Sequence, residues 1–160
     1  MDKLQKFIEM VEFVGGHAVL AEDGADMNAL IRSLYPEASV VASALPYIEA
    51  SKDPDSILEA AELDGTDLGV VEGALAVAEN GCVWIPQTMK ERAVLFISES
   101  LAIIVDRNHI VENMHDAYAR IQMSDYGYGC FISGPSKTAD IAQALVMGAQ
   151  AARDVTVIIR

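Results

Sequence analysis

The sequence predicts an α/β fold, and three observations support this prediction. Segments whose apolar residues recur at helical spacing alternate with short apolar runs that favour β-strands. The chain has 160 residues, of which 52% are hydrophobic and 22% charged, as in folded domains rather than disordered segments. Neither an internal repeat nor a low-complexity tract interrupts the pattern. We therefore expect a single domain over residues 1–160 with one core.

The first third of the chain predicts three helices and two strands. Apolar residues recur at helical spacing up to Val14, and Gly15-Gly16 then ends the segment as a helix C-cap does. Asp26 and the stretch Asp53 to Ser56 are typical of helix N-termini. In order, we predict a helix over 2–14, a strand over 17–21, a helix over 26–34, a strand over 40–42 and a helix over 55–62.

The middle of the chain is mainly β-prone. Asp64 to Asp67 predicts a turn. The segment from Gly69 to Ala78 is ambiguous, because Val70-Val71 suits a strand whereas the residues after Gly73 suit a helix. We predict a short strand or loop there, followed by a helical turn. After Asn80-Gly81, three β-prone runs predict neighbouring core strands over 82–85, 94–98 and 101–106.

The last third returns to alternating helices and strands. Apolar residues from Ile110 to Ile121 lie at helical spacing and predict an amphipathic helix. The predicted elements are a helix over 108–122, a loop over 124–129, a strand over 130–133, a helix over 138–150 and a strand over 155–159. The closing strand, helix and strand predict a βαβ unit with parallel strands and a right-handed crossover.

The charge of the chain restricts its partners. The formal net charge is −13, so the surface field repels phosphate backbones and anionic lipid headgroups. The Lys and Arg residues are scattered and form no basic stripe. We therefore expect neither a nucleic-acid partner nor a membrane partner. A small anionic metabolite fits only where the local field is reversed. The sequence leaves assembly into a homo-oligomer open.

The N-terminal segment and the cysteines predict a cytoplasmic protein. Charged residues interrupt Met1 to Met10 where a signal peptide needs an apolar stretch, and no apolar run reaches the ~18 residues of a membrane span. Cys82 and Cys130 lack the C-x-x-C spacing of redox and metal motifs. We therefore expect no disulfide framework, no iron–sulfur or zinc site and no bound cofactor with an evident motif in this chain.

One segment has the character of a ligand site. Phe131 to Ile141 joins a predicted strand end to a predicted helix start, where α/β sheets bind ligands. The helix N-terminus offers unpaired N–H groups, and Lys137 adds a full positive charge. Alternatively, Ser136 or Thr138 is only a helix N-cap. The predicted contacts of a small carboxylate or phosphate are Ser133, Gly134, Pro135, Ser136, Lys137, Thr138 and Asp140.

The same segment carries a family resemblance. Ser133-Gly-Pro-Ser-Lys-Thr-Ala-Asp-Ile141 resembles the signature S-G-P-S-R/K-T-A-D-I of the LUD family, the family of lactate-utilisation protein C. Ala78 to Cys82 resembles its A-E-T/N-G-S/T element, and Leu4 to Ala21 resembles its opening helix, glycine turn and strand. The sequence departs from the family after the signature helix, where the usual G-x-H-G-P is Gly148 to Ala152 (G-A-Q-A-A), and it is shorter at its N-terminus than typical members.

The resemblance implies both a fold and a role. The implied fold is a Rossmann-like three-layer sandwich with a mostly parallel sheet, similar to the sugar-isomerase and CoA-transferase (NagB/RpiA/CoA transferase-like) superfamily. The implied role is oxidation of L-lactate to pyruvate beside iron–sulfur partner proteins. Iron–sulfur clusters are implied only in those partners. The alternative is a non-catalytic scaffold or metabolite-sensing subunit.

The sequence contains a few candidate functional residues outside the signature segment. Glu79 precedes a glycine turn into a strand and is a candidate acid or base, ranked above Glu72. A solvated or cap-bonded carboxylate is the alternative for both. Tyr126 and Tyr128 form either a mobile cover over the signature segment or an ordinary surface loop.

The imidazoles, the thiols and the indole have mainly structural interpretations. His109 and His115 are six residues apart, which does not stack them on one helical face, and His17 is distant in sequence. A metal site is therefore not predicted. His109 is a candidate substrate contact, or alternatively a surface or capping histidine. Trp84 and both cysteines lie on or beside apolar strands, where we expect a core indole and buried, unreactive thiols.

Overall fold

A computed structural model describes residues 2–122, 127–135 and 152–160. None of the helices in these ranges is long and apolar enough to cross a lipid bilayer. In chain order the described elements are α1 (Lys3–Phe13), β1 (His17–Leu20), α2 (Met27–Leu34), β2 (Val41–Ala42), a 3₁₀ helix (Ala60–Leu63), β3 (Leu68–Glu72), β4 (Leu75–Val77), β5 (Cys82–Pro86), α3 (Val94–Ile97), β6 (Ser100–Val105), a second 3₁₀ helix (Arg107–His109), β7 (Ile110–Val111), α4 (Met114–Arg120), β8 (Gly129–Ile132) and β9 (Asp154–Ile159).

The centre of the fold is a parallel sheet of five strands in the order β1-β9-β6-β3-β2. Its middle strands are apolar on both faces, as parallel sheets require when they are covered on both sides. Leu101, Ile103 and Val105 of β6 point to one cluster of buried residues, whereas Ala102 and Ile104 point to another. The continuous apolar runs of β6 and β9 therefore follow from their position in the sheet.

A helix covers each face of the parallel sheet. Phe7 and Val11 of α1, which are 0% and 1% exposed, pack in the cluster that includes Ile103. Met27 and Ile31 of α2 pack on the opposite face, in the cluster with Ile104. Both helices begin where the sequence predicts, because the Asp2 and Asp26 carboxylates accept hydrogen bonds from the first turns of α1 and α2.

A second sheet of four strands, in the order β7-β4-β5-β8, packs on the same side of the parallel sheet as α1. It forms the third layer, after α2 and the parallel sheet. Strand β5 runs antiparallel to both β4 and β8, and β4 runs parallel to β7. Val83 and Ile85 share the buried cluster of α1, while Trp84 lies on the other face with Ala117 of α4. Trp84 is 5% exposed, which confirms the predicted core indole. The fold is thus an α/β sandwich with a mostly parallel sheet, as predicted.

Most of the predicted elements are present. The helices over 2–14 and 26–34 are confirmed, with small differences at their ends. The confirmed strands are those predicted over 17–21, 40–42, 82–85, 101–106, 130–133 and 155–159. The predicted helix over 138–150 lies outside the described residues, as does the first half of the loop predicted over 124–129.

The prediction of three neighbouring strands after Gly81 is wrong. Residues 94–97 form α3, because Ser98 Oγ donates a hydrogen bond to the Val94 carbonyl across a single helical turn (2.7 Å) and α3 packs on Gly69. Strand β6 therefore pairs with β3 and β9, while β5 belongs to the second sheet. The helical turn predicted before Ala78 is also wrong, since β4 forms there.

Two predicted helices differ from the structure because side chains place the turns elsewhere. The helix predicted over 55–62 is wrong, since the Asp53 carboxylate accepts hydrogen bonds from Asp55 N (2.8 Å) and Ser56 Oγ (3.1 Å) and forms a tight turn. Only the short 3₁₀ helix follows it. The helix predicted over 108–122 begins at Met114, because β7 pairs with β4 and Asn113 then caps α4.

The predicted closing βαβ unit is wrong. Strand β8 lies in the second sheet, antiparallel to β5, whereas β9 lies in the parallel sheet between β1 and β6. The two strands therefore cannot be parallel partners joined by a crossover within one sheet. Local sequence carries no information about which sheet an apolar strand joins, and this explains the error.

Two glycine turns approach the C-terminal end of α1 closely. Gly81, with φ of +73°, lies where a Cβ would be 2.9 Å from Met10 C and Val11 N. Gly134, with φ of +69°, lies where a Cβ would be 2.7 Å from Val14 O. A side chain at either position would meet backbone rather than a movable side chain. The turns before β5 and after β8 are thereby held against α1.

We predict that Gly81→Ala destabilises the protein more than Gly65→Ala. Gly65 has a similar φ of +80°, but nothing lies within 4 Å of the position that a Cβ would take there. Gly65→Ala therefore loses only the free energy of the backbone strain, about 1–2 kcal/mol. Gly81→Ala adds a clash with α1 to the same strain. Urea unfolding followed by circular dichroism measures both free energies of unfolding. Equal losses in the two variants would contradict the close packing on α1.

We predict that Asp67→Asn weakens the fold at neutral pH and that its effect disappears in acid. The Asp67 carboxylate accepts hydrogen bonds from Ser39 N (3.0 Å), Ser39 Oγ (3.1 Å) and Val40 N (2.8 Å). These bonds, the backbone N–H of Val40 foremost, lower the pKa of Asp67 below its usual value.

The sign of the pH effect follows from that lowered pKa. A carboxyl whose pKa is lowered by folding stabilises the folded state above its unfolded pKa, and this contribution is lost as the pH falls through the folded pKa. Urea unfolding at neutral and acidic pH measures the difference from the unaltered protein. Asp23→Asn, on an exposed residue, is the matched control. A difference that stays constant with pH would refute the role of the ionised carboxylate.

Candidate functional site

Polar side chains meet at the carboxyl edge of the parallel sheet, where α/β sheets bind ligands. Glu72 ends β3 and Arg160 follows β9. Tyr47 Oη donates a 2.6 Å hydrogen bond to Glu72 Oε2, and Arg160 Nη2 lies 4.0 Å from the same oxygen. The Arg160 guanidinium also lies 5.0 Å from the centre of the Tyr47 ring. Burial and the bond to Glu72 raise the pKa of Tyr47, so the phenol stays a donor.

A cavity of about 270 Å³ opens beside this cluster. Glu72, Asp106, His109 and Arg160 line it together with Gly73, Ala74 and Ile104. The wall therefore combines two carboxylates, a guanidinium and an imidazole from three different segments. Such a wall both accepts and donates hydrogen bonds, which suits a small polar ligand.

The signature turn starts at the opposite edge of the parallel sheet. Ser133, Gly134 and Pro135 follow β8, and they line a cavity of about 230 Å³ with Leu101 and Val155. These two residues form the second pair of the β6–β9 ladder, next to the starts of both strands, so this is the amino edge of the sheet. The premise that the turn lies at the carboxyl ends of parallel strands is wrong, because β8 is an antiparallel strand of the second sheet.

The structure brings the family-like elements together. Ser133 Oγ donates a 3.0 Å hydrogen bond to the Asn80 carbonyl, which joins the signature turn to the Ala78 to Cys82 element. A Cβ on Gly15 would lie 3.6 Å from the Pro135 ring, which places the first glycine turn beside them. The remaining predicted ligand contacts, Ser136, Lys137, Thr138 and Asp140, lie outside the described residues.

Glu79 has a structural contact. Its Oε2 accepts a 2.9 Å hydrogen bond from Met114 N, at the first residue of α4. Carboxylates are favoured at helix N-termini, so this contact helps to fix α4 on the second sheet. A role for Glu79 as an acid or base stays a prediction. Glu72, which the sequence ranks lower, is the glutamate that lines a polar cavity.

The histidines occupy three separate places. His17 Nε2 lies 3.2 Å from Asp154 Oδ1 at the amino edge of the parallel sheet. His109 lines the polar cavity, and His115 is exposed on α4. Across the described ranges, no group of three His, Cys, Asp or Glu side chains is placed to hold a metal ion.

The thiols and the tyrosine before the signature strand are packed. Cys82 is 2% exposed and Cys130 is half-buried, and both are free. Burial raises the pKa of Cys82 to about 11, so its thiol is protonated at neutral pH. The Arg92 guanidinium lies 4.2 Å from the centre of the Tyr128 ring. Tyr126 lies outside the described residues, so the predicted cover stays a prediction.

Sequence reasoning missed Tyr47 and Arg160. Tyr47 lies in an irregular segment 25 residues before Glu72, so no local pattern joins the two. Arg160 does carry a signal, because it directly follows the predicted strand over 155–159. A charged residue directly after a buried parallel strand lies at the ligand-binding edge of the sheet.

Comparisons with known proteins agree with this architecture. The family model of the LUD domain matches residues 60–159. The fold is similar to the crystal structure of a DUF162 family protein from Deinococcus radiodurans, with a TM-score of 0.76 and 18% sequence identity, covering 98% of this chain and 95% of that chain. No curated protein matches the sequence. Because the LUD match covers more than half of the chain and includes both motifs that meet at Ser133, this protein belongs to the LUD-domain family.

Proposed function

We propose that this protein is a cytoplasmic component of lactate utilisation that binds a small anionic metabolite at the segment from Ser133 to Asp140. The observation that carries the proposal is the position of the start of this segment. Ser133, Gly134 and Pro135 form part of the wall of the 230 Å³ cavity at the amino edge of the parallel sheet. The turn is fixed on one side by the Ser133 bond to Asn80 and on the other by α1.

The composition of the segment supports an anionic ligand. In a chain with a net charge of −13, a negative ligand needs a local source of positive field. Lys137 supplies a full charge, and Ser136 and Thr138 supply hydroxyl donors. Small hydroxy acids and keto acids such as lactate and pyruvate are anions of this kind.

The redox chemistry requires partners. Oxidation of a hydroxy acid to a keto acid removes two electrons and two protons, which an acceptor must take up. The sequence has two cysteines, fewer than the four thiolates that ordinarily hold an iron–sulfur cluster. Iron–sulfur oxidoreductase subunits are therefore the proposed electron acceptors, and this chain is the proposed metabolite-binding component.

A second candidate function is a non-catalytic scaffold or metabolite-sensing subunit. The contact that favours it is the hydrogen bond from Met114 N to Glu79, since the carboxylate ranked first as an acid or base caps a helix. On this alternative, the LUD domain docks on the redox subunits and performs no chemistry. The two functions differ in whether the signature side chains are required.

We predict that Lys137→Ala and Ser136→Ala abolish growth on L-lactate in a strain that depends on this protein. Loss of the charge and of the hydroxyl removes the proposed anion contacts, so binding of lactate or pyruvate, measured by isothermal titration calorimetry, falls at least tenfold. Lys6→Ala, on the exposed face of α1, is the matched control and leaves growth and binding intact. Thermal unfolding checks that each variant is folded.

The outcomes separate the two functions. If both signature variants grow on lactate while the protein still co-purifies with iron–sulfur subunits, the scaffold function is correct. If the unaltered protein binds neither lactate nor pyruvate and co-purifies with no redox subunit, both functions are refuted.

A further inference from the structure

Another cavity, of about 190 Å³, lies at the outer face of the second sheet and adjoins the 270 Å³ cavity. Leu75 of β4, Trp84 of β5 and Ile121 form its apolar wall, and His109, Arg120 and Gln122 provide its polar groups. No Ser133, Gly134 or Pro135 atom lines this cavity, so it is distinct from the described part of the signature turn.

The described wall of this cavity carries a positive charge, although the protein as a whole is acidic. The chain carries 24 Asp and Glu residues and 11 Lys and Arg residues, yet no carboxylate lines this cavity among the residues that the structure describes. Its polar groups include a guanidinium, an imidazole and an amide, all of which donate hydrogen bonds. Arg120 therefore brings one full positive charge to a wall in which the structure describes no carboxylate, and this favours an anion there.

Arg120 and His109 come from different elements. Arg120 lies in the last turn of α4, where a positive charge is favoured by the helix dipole, and it makes no ion pair with a carboxylate of residues 2–122, 127–135 or 152–160. His109 ends the 3₁₀ helix that Asp106 caps. The helix dipole explains Arg120 alone, but it does not explain why a second donor from another element lines the same cavity.

Two carboxylates in the adjoining cavity already accept hydrogen bonds. Glu72 and Asp106 line the adjoining 270 Å³ cavity, which shares Ala74 and His109 with this one. Glu72 accepts the Tyr47 hydroxyl hydrogen bond, and Asp106 Oδ1 accepts a 2.8 Å hydrogen bond from Asn108 N. Both carboxylates therefore accept at least one hydrogen bond from within the protein.

We propose that this cavity binds a small monocarboxylate, with the carboxylate on Arg120 and the apolar group against Trp84 and Leu75. The cavity is smaller than the ~300–1,000 Å³ typical of drug-sized ligands, which restricts the ligand to a short acid. A guanidinium binds a carboxylate through two parallel N–H bonds, stronger than neutral hydrogen bonds. This site goes beyond the function proposed above.

The protein provides its own probe, because Trp84 is its one tryptophan. We expect sodium L-lactate and sodium propionate to change Trp84 fluorescence saturably. L-lactamide and propionamide, which have the same shape without the charge, and sodium chloride at equal ionic strength leave it unchanged. Arg120→Gln raises the dissociation constant about 10-fold to 100-fold, the loss expected when a charged hydrogen bond is removed.

The matched control is Arg32→Gln. Arg32 lies in the last turn of α2, is exposed and pairs with Glu49, so this variant makes the same charge change in the same helical position away from the cavity. It retains the affinity of the unaltered protein. Arg120→Lys keeps the charge but loses the paired N–H geometry. Its affinity is expected to lie between those of Arg120→Gln and Arg32→Gln. Thermal unfolding checks that all three variants are folded.

Three results would overturn the site. One is the absence of a saturable carboxylate response, another is an equal response to the amides, and the third is unchanged affinity in Arg120→Gln. Lys137→Ala distinguishes this site from the signature segment. If Lys137→Ala abolishes the Trp84 response while Arg120→Gln retains it, the cavity is refuted and the signature segment is supported. If Arg120→Gln abolishes the Trp84 response while Lys137→Ala retains it, the cavity is supported. The growth test on L-lactate then decides the proposed function.

Discussion

The close packing of glycine turns on the C-terminal end of α1 is the contact on which the rest of the structure depends. Gly81 and Gly134 let the second sheet approach the backbone of α1, and Pro135 lies beside Gly15. Because Phe7 and Val11 on the same helix are buried against the parallel sheet, α1 joins the two sheets. Side chains at these glycines would separate the layers and disconnect the elements that carry the family resemblance.

Charge organises the surface around that core. The protein is strongly acidic, so positions with donors and few carboxylates stand out. The carboxyl edge holds two carboxylates, Glu72 and Asp106, beside the single guanidinium of Arg160, so it carries no excess of positive charge. The cavity beside Trp84 presents Arg120 and His109 without a carboxylate in its described wall. A small anion would be attracted to the second place more than to the first.

The sequence predicted the class of fold and most of the elements. Asp26 marked the start of α2 because its carboxylate bonds to the first helical turn, which is a local effect. The apolar runs of β6 and β9 also predicted strands correctly, since strands buried on both faces are continuously apolar. The candidate site was harder to predict. The LUD signature identified the family, but the Tyr47 contact with Glu72 and the wall around Trp84 join residues that are distant in sequence.

The sequence by itself determined the family, the acidic character and the positions of the helix starts, because each of these depends on residues that are close together in the chain. Only the tertiary structure decided which sheet each strand joins. Strands β8 and β9 are both short apolar runs, yet one pairs with β5 and the other with β1 and β6. The tertiary structure also decided which positively charged side chains line a cavity. This depends on contacts between elements and on the area buried between them, and no local sequence pattern contains that information.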